Sequence, residues 1–310
     1  MATSLAFTNS IDVTDAVEFI PTVWSDDVVA GYKKNLVIGN LMSKINHNGK
    51  KGAVINIPSP SRGSANAKAA NNVVTLNAFS ATGIDVTINK HYEYSFVVED
   101  IAELQALPSL RAFFTDDAGF ALATQVDNDC RDLAATWNGG TAYSGAVIGG
   151  DGSTAFSAST TGNGTALTDA GIRRVIQTLD DNDVPMKDRY LVIPPVTKRT
   201  LLGIARFTEQ AFTGESAGAN SVRNGLVGDV YGIPVYVSTN CKAIESADST
   251  DYRVCLMFHK SVGVLATQQS VRTQAQYKQE ALGTLVTADT VYGVANIRPT
   301  TAGLAIVVPS

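Results

Sequence analysis

The chain has 310 residues, of which 45% are hydrophobic and 17% charged, enough for a substantial core in one large domain or two. Its net charge of −5 argues against nucleic acid as the main ligand, and its many glycines suit extended, packed surfaces. No apolar run reaches about 18 residues and the N-terminus has no basic, then apolar, leader, so neither a membrane span nor a signal peptide is expected.

Residues 1–22 carry Asp12, Asp15 and Glu18 and no basic residue, the composition of an extended arm that orders only on a partner surface. Residues 22–45 contain a predicted helix. Ser25 can cap it, Asp26 and Asp27 fall in its first turn, and Lys33 and Lys34 come late. Residues 52–58 read as a strand closed by Pro58, and residues 59–83 are small, polar and turn-rich. Residues 85–98 then alternate, with Val86, Ile88, Tyr92, Tyr94, Phe96 and Val98 on one face. Two strands around a long polar tip make a hairpin arm. Such a hairpin is marginal alone in water, so it should lie on another surface, most simply another copy of the chain.

Residues 109–137 are predicted to form one long helix, with Ser109 as N-cap and Gly139-Gly140 as its stop. Its apolar stripe runs from Leu110 through Ala118, Leu122, Val126 and Cys130 to Trp137, along a rod of about 40 Å. Residues 139–168 read as a loop or loose hairpin at a junction. A helix over 168–179 should be capped by Thr168 and turn Ile172, Val175, Ile176 and Leu179 inward. A buried-type strand at 189–193 stops at Pro194, a short helix covers 196–205, and 206–226 is a polar loop. A turn and strand fill 228–237, a strand 252–258 and a helix 259–268, and the last forty residues alternate as strands. The fold class is α+β.

Charge is segregated along this order. Between Val28 and Ile84 there are seven basic residues, including Lys44, Lys50, Lys51, Arg62 and Lys68, and no acid. Between Glu93 and Asp132 there are nine acids, including Glu99, Asp100, Glu103, Asp116, Asp117 and Asp127, against two arginines. A basic arm followed by an acidic body is the pattern expected of one subunit reaching over its neighbour. The two sets are therefore the candidate interface residues. The bland alternative is two solvated faces of opposite sign.

Chemical motifs are weak. Residues 214–218, GESAG, match the nucleophile elbow of serine hydrolases around Ser216, but no strand precedes them and only His47, His91 and His259 could act as base. The glycines at 149–152 and 162–164 lack the lysine and helix of a phosphate loop. Asp180, Asp181 and Asp183 lack the glycine and final glutamate of a calcium loop. Cys130, Cys241 and Cys255 have no metal spacing and read as buried free thiols of a reducing compartment. No catalytic residue, cofactor or metal is expected.

The order of parts resembles the tailed-bacteriophage major capsid proteins of the Hong Kong ninety-seven type. The resemblance rests on the returning strand that ends in Phe96, Glu99 and Asp100, the long helix, the strand-then-proline step at 189–195, the glycine-turn strand GDVYGIPVYV at 228–237, and late strands around Met257 and Asp289. It implies an N-terminal arm and helix (1–45), an extended loop (46–90), a peripheral domain with a spine helix (91–165), an axial domain (166–270), and C-terminal strands returning to the core (271–310). It further implies self-assembly into hexamers and pentamers of an icosahedral head around double-stranded DNA held without specific contacts. A separate scaffolding protein, a portal and a decoration protein are the implied partners, the virion is the implied location after assembly in the host cytoplasm, and no membrane is involved. An encapsulin-like cargo shell is the runner-up, and a serine hydrolase using Ser216 is a distant third.

Overall fold

The computed structural model describes residues 37–49, 51–60, 63–78, 81–100, 110–204 and 228–310. A single helical turn α1 (Ile38–Leu41) leads into β1 (Ser43–Asn46), β2 (Val54–Pro60), β3 (Ala81–Thr87) and β4 (Lys90–Glu99). The long helix α2 (Leu110–Asp132) follows and tightens into a 3-10 stretch, Leu133–Gly139. Then come β5 (Val147–Ile148), α3 (Asp169–Asp181), β6 (Arg189–Ile193) and α4 (Pro195–Leu202). The chain ends with β7 (Asp229–Val230), β8 (Ile233–Val237), β9 (Ala243–Glu245), β10 (Asp251–His259), β11 (Gly263–Lys278), β12 (Gly283–Asn296) and β13 (Gly303–Pro309).

Two sheets organise these elements. One has the order β1-β11-β12-β4, with β1 parallel to β11 and the rest antiparallel. The other has the order β5-β13-β10-β6-β8-β7, with β9 also paired to β10. β2 and β3 form a separate antiparallel pair. β11 runs straight through positions 270 and 271, where the sequence suggests a domain boundary, and so belongs whole to the four-stranded sheet.

The long helix bridges the sheets. Ala118 and Leu122 pack on Ala288, Tyr92, Tyr94 and Phe96 of the four-stranded sheet. Cys130, Ala134 and Trp137 join a cluster with Phe258, Leu265 and Tyr292, strands of both sheets. Trp137 is 1% exposed, its ring centroid lies 5.4 Å from that of Phe258, and its Nε1 donates to Asn296 Oδ1 at 3.1 Å. The helix does not stay α-helical to this point: Trp137 is extended (ψ 156°) and Asn138 is left-handed (φ 55°). Gly303 leaves room for the indole, because a Cβ there would come within 2.8 Å of the Trp137 ring.

The larger sheet is covered on both faces. Along β10, Val254, Leu256 and Phe258 face the long-helix side, while Cys255 and Met257 face α3. This explains why β10 and β13 are continuous apolar runs rather than alternating ones. The α3 expectation holds: Thr168 Oγ1 accepts from Gly171 N, and Ile172, Val175 and Leu179 are fully buried. Each such side chain contributes about 1.5–3 kcal/mol by leaving water. Arg189 locks the end of α3. It is 3% exposed, lies 2.7 Å from Asp180 Oδ1, and donates to the carbonyls of Val184 and Pro185. The triple of acids at 180–183 is thus a helix end. The expected free thiols are present, since Cys130, Cys241 and Cys255 are all unpaired and buried. Burial pushes the Cys130 and Cys255 thiols up to about 12, so neither supplies a thiolate near neutral pH.

Two expectations are corrected. Residues 85–98 are not one strand. β3 pairs with β2 and β4 with β12, and the chain changes sheet at Ile88-Asn89. The change is tight enough to need Gly293, where a Cβ would stand 2.4 Å from Thr87 O. Residues 259–268 are not a helix but a 3-10 turn, Lys260–Val262, and the start of β11. Here Val264 and Ala266 are buried on one side of the sheet and Leu265 on the other. A short run buried on both faces has no period with which to distinguish strand from helix. The loose hairpin expected within 139–168 is present, since Val147 bridges Ala155 antiparallel, and its first arm, β5, also pairs parallel with β13.

Candidate subunit interface

The β2–β3 pair is rooted on the four-stranded sheet and, among the described residues, pairs with no further strand. Ile55, Ile57, Val86 and Ile88 pack with Val264, Ala266 and Val291. Farther out, β2 carries Pro58 and Pro60, which a two-stranded ribbon tolerates because each strand has an open side. Between the strands, residues 63–78 form neither helix nor strand, turn once at 70–71, and are exposed throughout. Side-chain amides hold the tip: Asn66 Nδ2 donates to Asn77 Oδ1 and Asn77 Nδ2 to Ser64 O, both at 2.6 Å. The tip is less polar than its composition suggests. Val73 is 89% exposed, Leu76 88% and Val74 60%. The run VVTL at 73–76 was the sequence signal for this patch.

The basic candidates are placed as follows. Lys51 is exposed at the foot of the hairpin and Lys68 in its tip. Lys44 stands outside the loop, exposed on β1, with its Nζ donating to Asn40 Oδ1 at 2.8 Å. Lys50 and Arg62 lie outside the described residues. Of the acidic candidates, Glu99 and Asp100 are exposed at the end of β4, where Asp100 Oδ2 accepts from Tyr277 Oη at 2.9 Å. Asp116 is exposed on the first half of α2 and Asp117 half-buried beside it. Glu103 lies outside the described residues.

Asp127 is a correction. It is 3% exposed, and its two oxygens accept from Gly39 N at 2.9 Å and Asn240 Nδ2 at 2.8 Å. It ties α1 and the loop after β8 to the long helix, and the spacing of α2 turns it inward beside Cys130. It therefore leaves the acidic surface.

A polar cluster that the sequence reading missed crosses the same sheet. Asp289 on β12 is 6% exposed and accepts from Arg272 Nε at 3.0 Å, Arg272 Nη2 at 2.9 Å and Gln269 Nε2 at 2.8 Å. His91 Nε2 on β4 lies 3.3 Å away. The Arg272 guanidinium, more than the other partners, holds the Asp289 carboxyl below the usual carboxylate range. The β-bulges of β11 between Thr267 and Arg272 bring Gln269 and Arg272 to this position.

No hydrolase constellation is assembled around the described histidines. His91 faces Asp289, His259 Nδ1 is bonded to Ser261, and the GESAG motif with Ser216 lies outside the described residues. The arm at 1–22 and most of the helix predicted at 22–45 also lie outside them. Among the described residues no cluster has metal-holding geometry, and no helix is long and apolar enough to cross a membrane.

A family model described as phage capsid protein matches residues 39–303. No curated protein matches the chain. A solved chain of Mycobacterium phage Che8 superposes with a TM-score of 0.73 at 24% identity, over 97% of this chain and 98% of that one. The capsid of cyanophage P-SCSP1u superposes at 0.74 with 18% identity, over 100% and 99% of the two chains. The mature capsid of bacteriophage PhiM1 superposes at 0.68 with 13% identity, over 93% and 91%.

Proposed function

The chain belongs to the phage capsid protein family and is a structural major capsid protein of a bacteriophage, and from that premise we propose how its copies build a shell. They join as hexamers and pentamers of an icosahedral head that encloses double-stranded DNA. The four-stranded sheet with α2 forms the peripheral domain, the larger sheet with α3 forms the axial domain, and the β2–β3 hairpin is the extended loop. The loop laps over a neighbouring copy. No catalytic step belongs to this role.

The observation that carries the reading is the hairpin tip. Val73 and Leu76 are 89% and 88% exposed on an arm with no core of its own, a feature a solitary chain gains nothing by keeping. Charge supports the direction of contact, with Lys51 and Lys68 on the arm and Glu99, Asp100, Asp116 and Asp117 on the body. Lys50, Arg62 and Glu103 extend the two sets in sequence. Many weak contacts of this kind sum to a stable shell while each remains correctable during assembly. The net charge of −5 suits a wall that does not grip the DNA it contains. A separate scaffolding protein, a portal and a decoration protein complete the particle, which is assembled in the host cytoplasm.

The test is to express the chain alone and with candidate scaffolding proteins, then examine the products by size-exclusion chromatography and negative-stain electron microscopy. Closed shells or isolated hexamers and pentamers are expected. A stable monomer under every condition would sink the reading. Reversing Lys51 and Lys68 to Glu should lower the yield of shells, and unchanged yields would remove charge from the account.

A further inference from the structure

β11 is paired on both sides only near its start. β1 covers Val264 to Thr267, the turn after it reaches Gln268 through Gly49 N and Ser270 through Asn48, and from Val271 on no strand among the described residues pairs with the outer side. The inner side stays paired with β12 as far as Lys278. Residues 271–277 are all exposed, and Val271 and Tyr277 are about half accessible. Eight residues at about 3.4 Å each leave roughly 27 Å of open backbone edge. A long open edge is a template for strand addition, and folded proteins cover or blunt such edges. From Gly263 to Lys278 there is no Pro, Asp or Glu, the β-bulges end at Arg272, and Arg272 itself is drawn onto Asp289, so the pairing with β12 is regular from there to Lys278.

The same chain contains an exposed segment, outside any ladder, with the matching need. Residues 73–78 have no backbone–backbone hydrogen bond among the described residues; Asn72 N, just before them, bonds to Ala69 O. They include Val73, Val74, Thr75 and Leu76, side chains that favour strands, with the three apolar ones largely exposed. Charge fixes which end goes where. The far end of the β11–β12 hairpin carries three exposed acids, Glu99, Asp100 and Glu280, against one half-buried cation, Lys278, with Tyr277 bonded to Asp100. Lys68 lies a few residues before the exposed segment.

We infer that the open edge at 271–278 receives residues 72–78 of a second copy of the chain as an added strand, with Lys68 directed to the acidic hairpin end. The inference rests on the shell reading and gives it a mechanism: main-chain hydrogen bonds supply the contact, and side chains set the register. Such a bond pattern tolerates the small differences in angle between hexamers and pentamers better than a knob-in-pocket fit, because the ladder can twist.

A proline scan distinguishes strand addition from ordinary side-chain contact. In an added strand, successive N–H groups point alternately toward the edge and away from it. Val73→Pro, Val74→Pro, Thr75→Pro and Leu76→Pro each remove one N–H from a segment with no internal ladder to break. Alternate members of the series should raise the concentration needed for assembly about tenfold, and the others should leave it near wild type. Equal effects at all four positions, or none at any, would overturn strand addition while leaving the shell reading in place. Failure of the wild-type chain to assemble at all would overturn both.

Discussion

Gly171 and Gly119 should respond to the same substitution with opposite signs. Both are helical, Gly119 inside α2 and Gly171 in the first turn of α3, and in a helix interior alanine is worth about 0.5–1 kcal/mol over glycine. At Gly119 on α2 a Cβ would meet nothing within 4 Å. Gly119→Ala should therefore stabilise by about 0.5–1 kcal/mol, with a melting temperature up by about 1–2 °C. At Gly171 on α3 the Cβ would stand 2.1 Å from Gly149 O, where ordinary contact begins at 3.4 Å. The two backbones would have to part by roughly 1.3 Å. They are held together: Thr168 N donates to Gly149 O, Thr168 Oγ1 to Gly150 O, and Gly150 N to Thr165 Oγ1. Overpacking against such a brace costs about 3 kcal/mol, which outweighs the propensity gain. Gly171→Ala should lower the melting temperature by about 5 °C or more. Thermal unfolding followed by circular dichroism would measure both, on subunits kept dilute so that assembly adds no stability by mass action. A Gly171→Ala variant melting at or above wild type would refute the reasoning.

Two further outcomes follow from buried charge. Arg189→Lys keeps the charge but cannot reach Asp180, Val184 O and Pro185 O together, and should cost about 2–4 kcal/mol in urea unfolding; an unchanged midpoint would count against the fork as the lock on α3. Asp289 has a folded-state carboxyl held low by Arg272, so its contribution is present above the unfolded value of about 3.9 and is lost as pH falls through the folded one. Asp289→Asn should thus be less stable than wild type at pH 6 and lose less on acidification to pH 3, and parallel acid limbs for the two proteins would contradict this.

Local chemistry was legible wherever one face of an element meets water. Thr168 and the spacing of Ile172, Val175 and Leu179 specify α3, because a cap and a one-sided stripe are properties of neighbouring residues. The β6 strand ends at Ile193, just before the proline pair that marks its stop. Family order was legible too, since a long hairpin, a long helix and late strands in that sequence are unusual together. Elements buried on both faces were harder to read. The start of β11 lost its period because Leu265 and its neighbours are covered on opposite sides, and it was mistaken for a helix.

The sequence by itself determined the elements with one face in water and the segregation of charge, because these depend on residue type and near-neighbour spacing. Only the tertiary structure decided which charges are surface at all. Asp116 and Asp127 are both acids of one helix, yet Asp116 is exposed and Asp127 is sealed between Gly39 N and Asn240 Nδ2. Their difference is set by what packs against each turn, 88 and 113 residues away along the chain in the case of Asp127. The open edge of β11 is decided in the same way. A strand's sequence states that it can pair, but only the position at which β1 and its following turn stop fixes how much of its edge is left unpaired among the described residues.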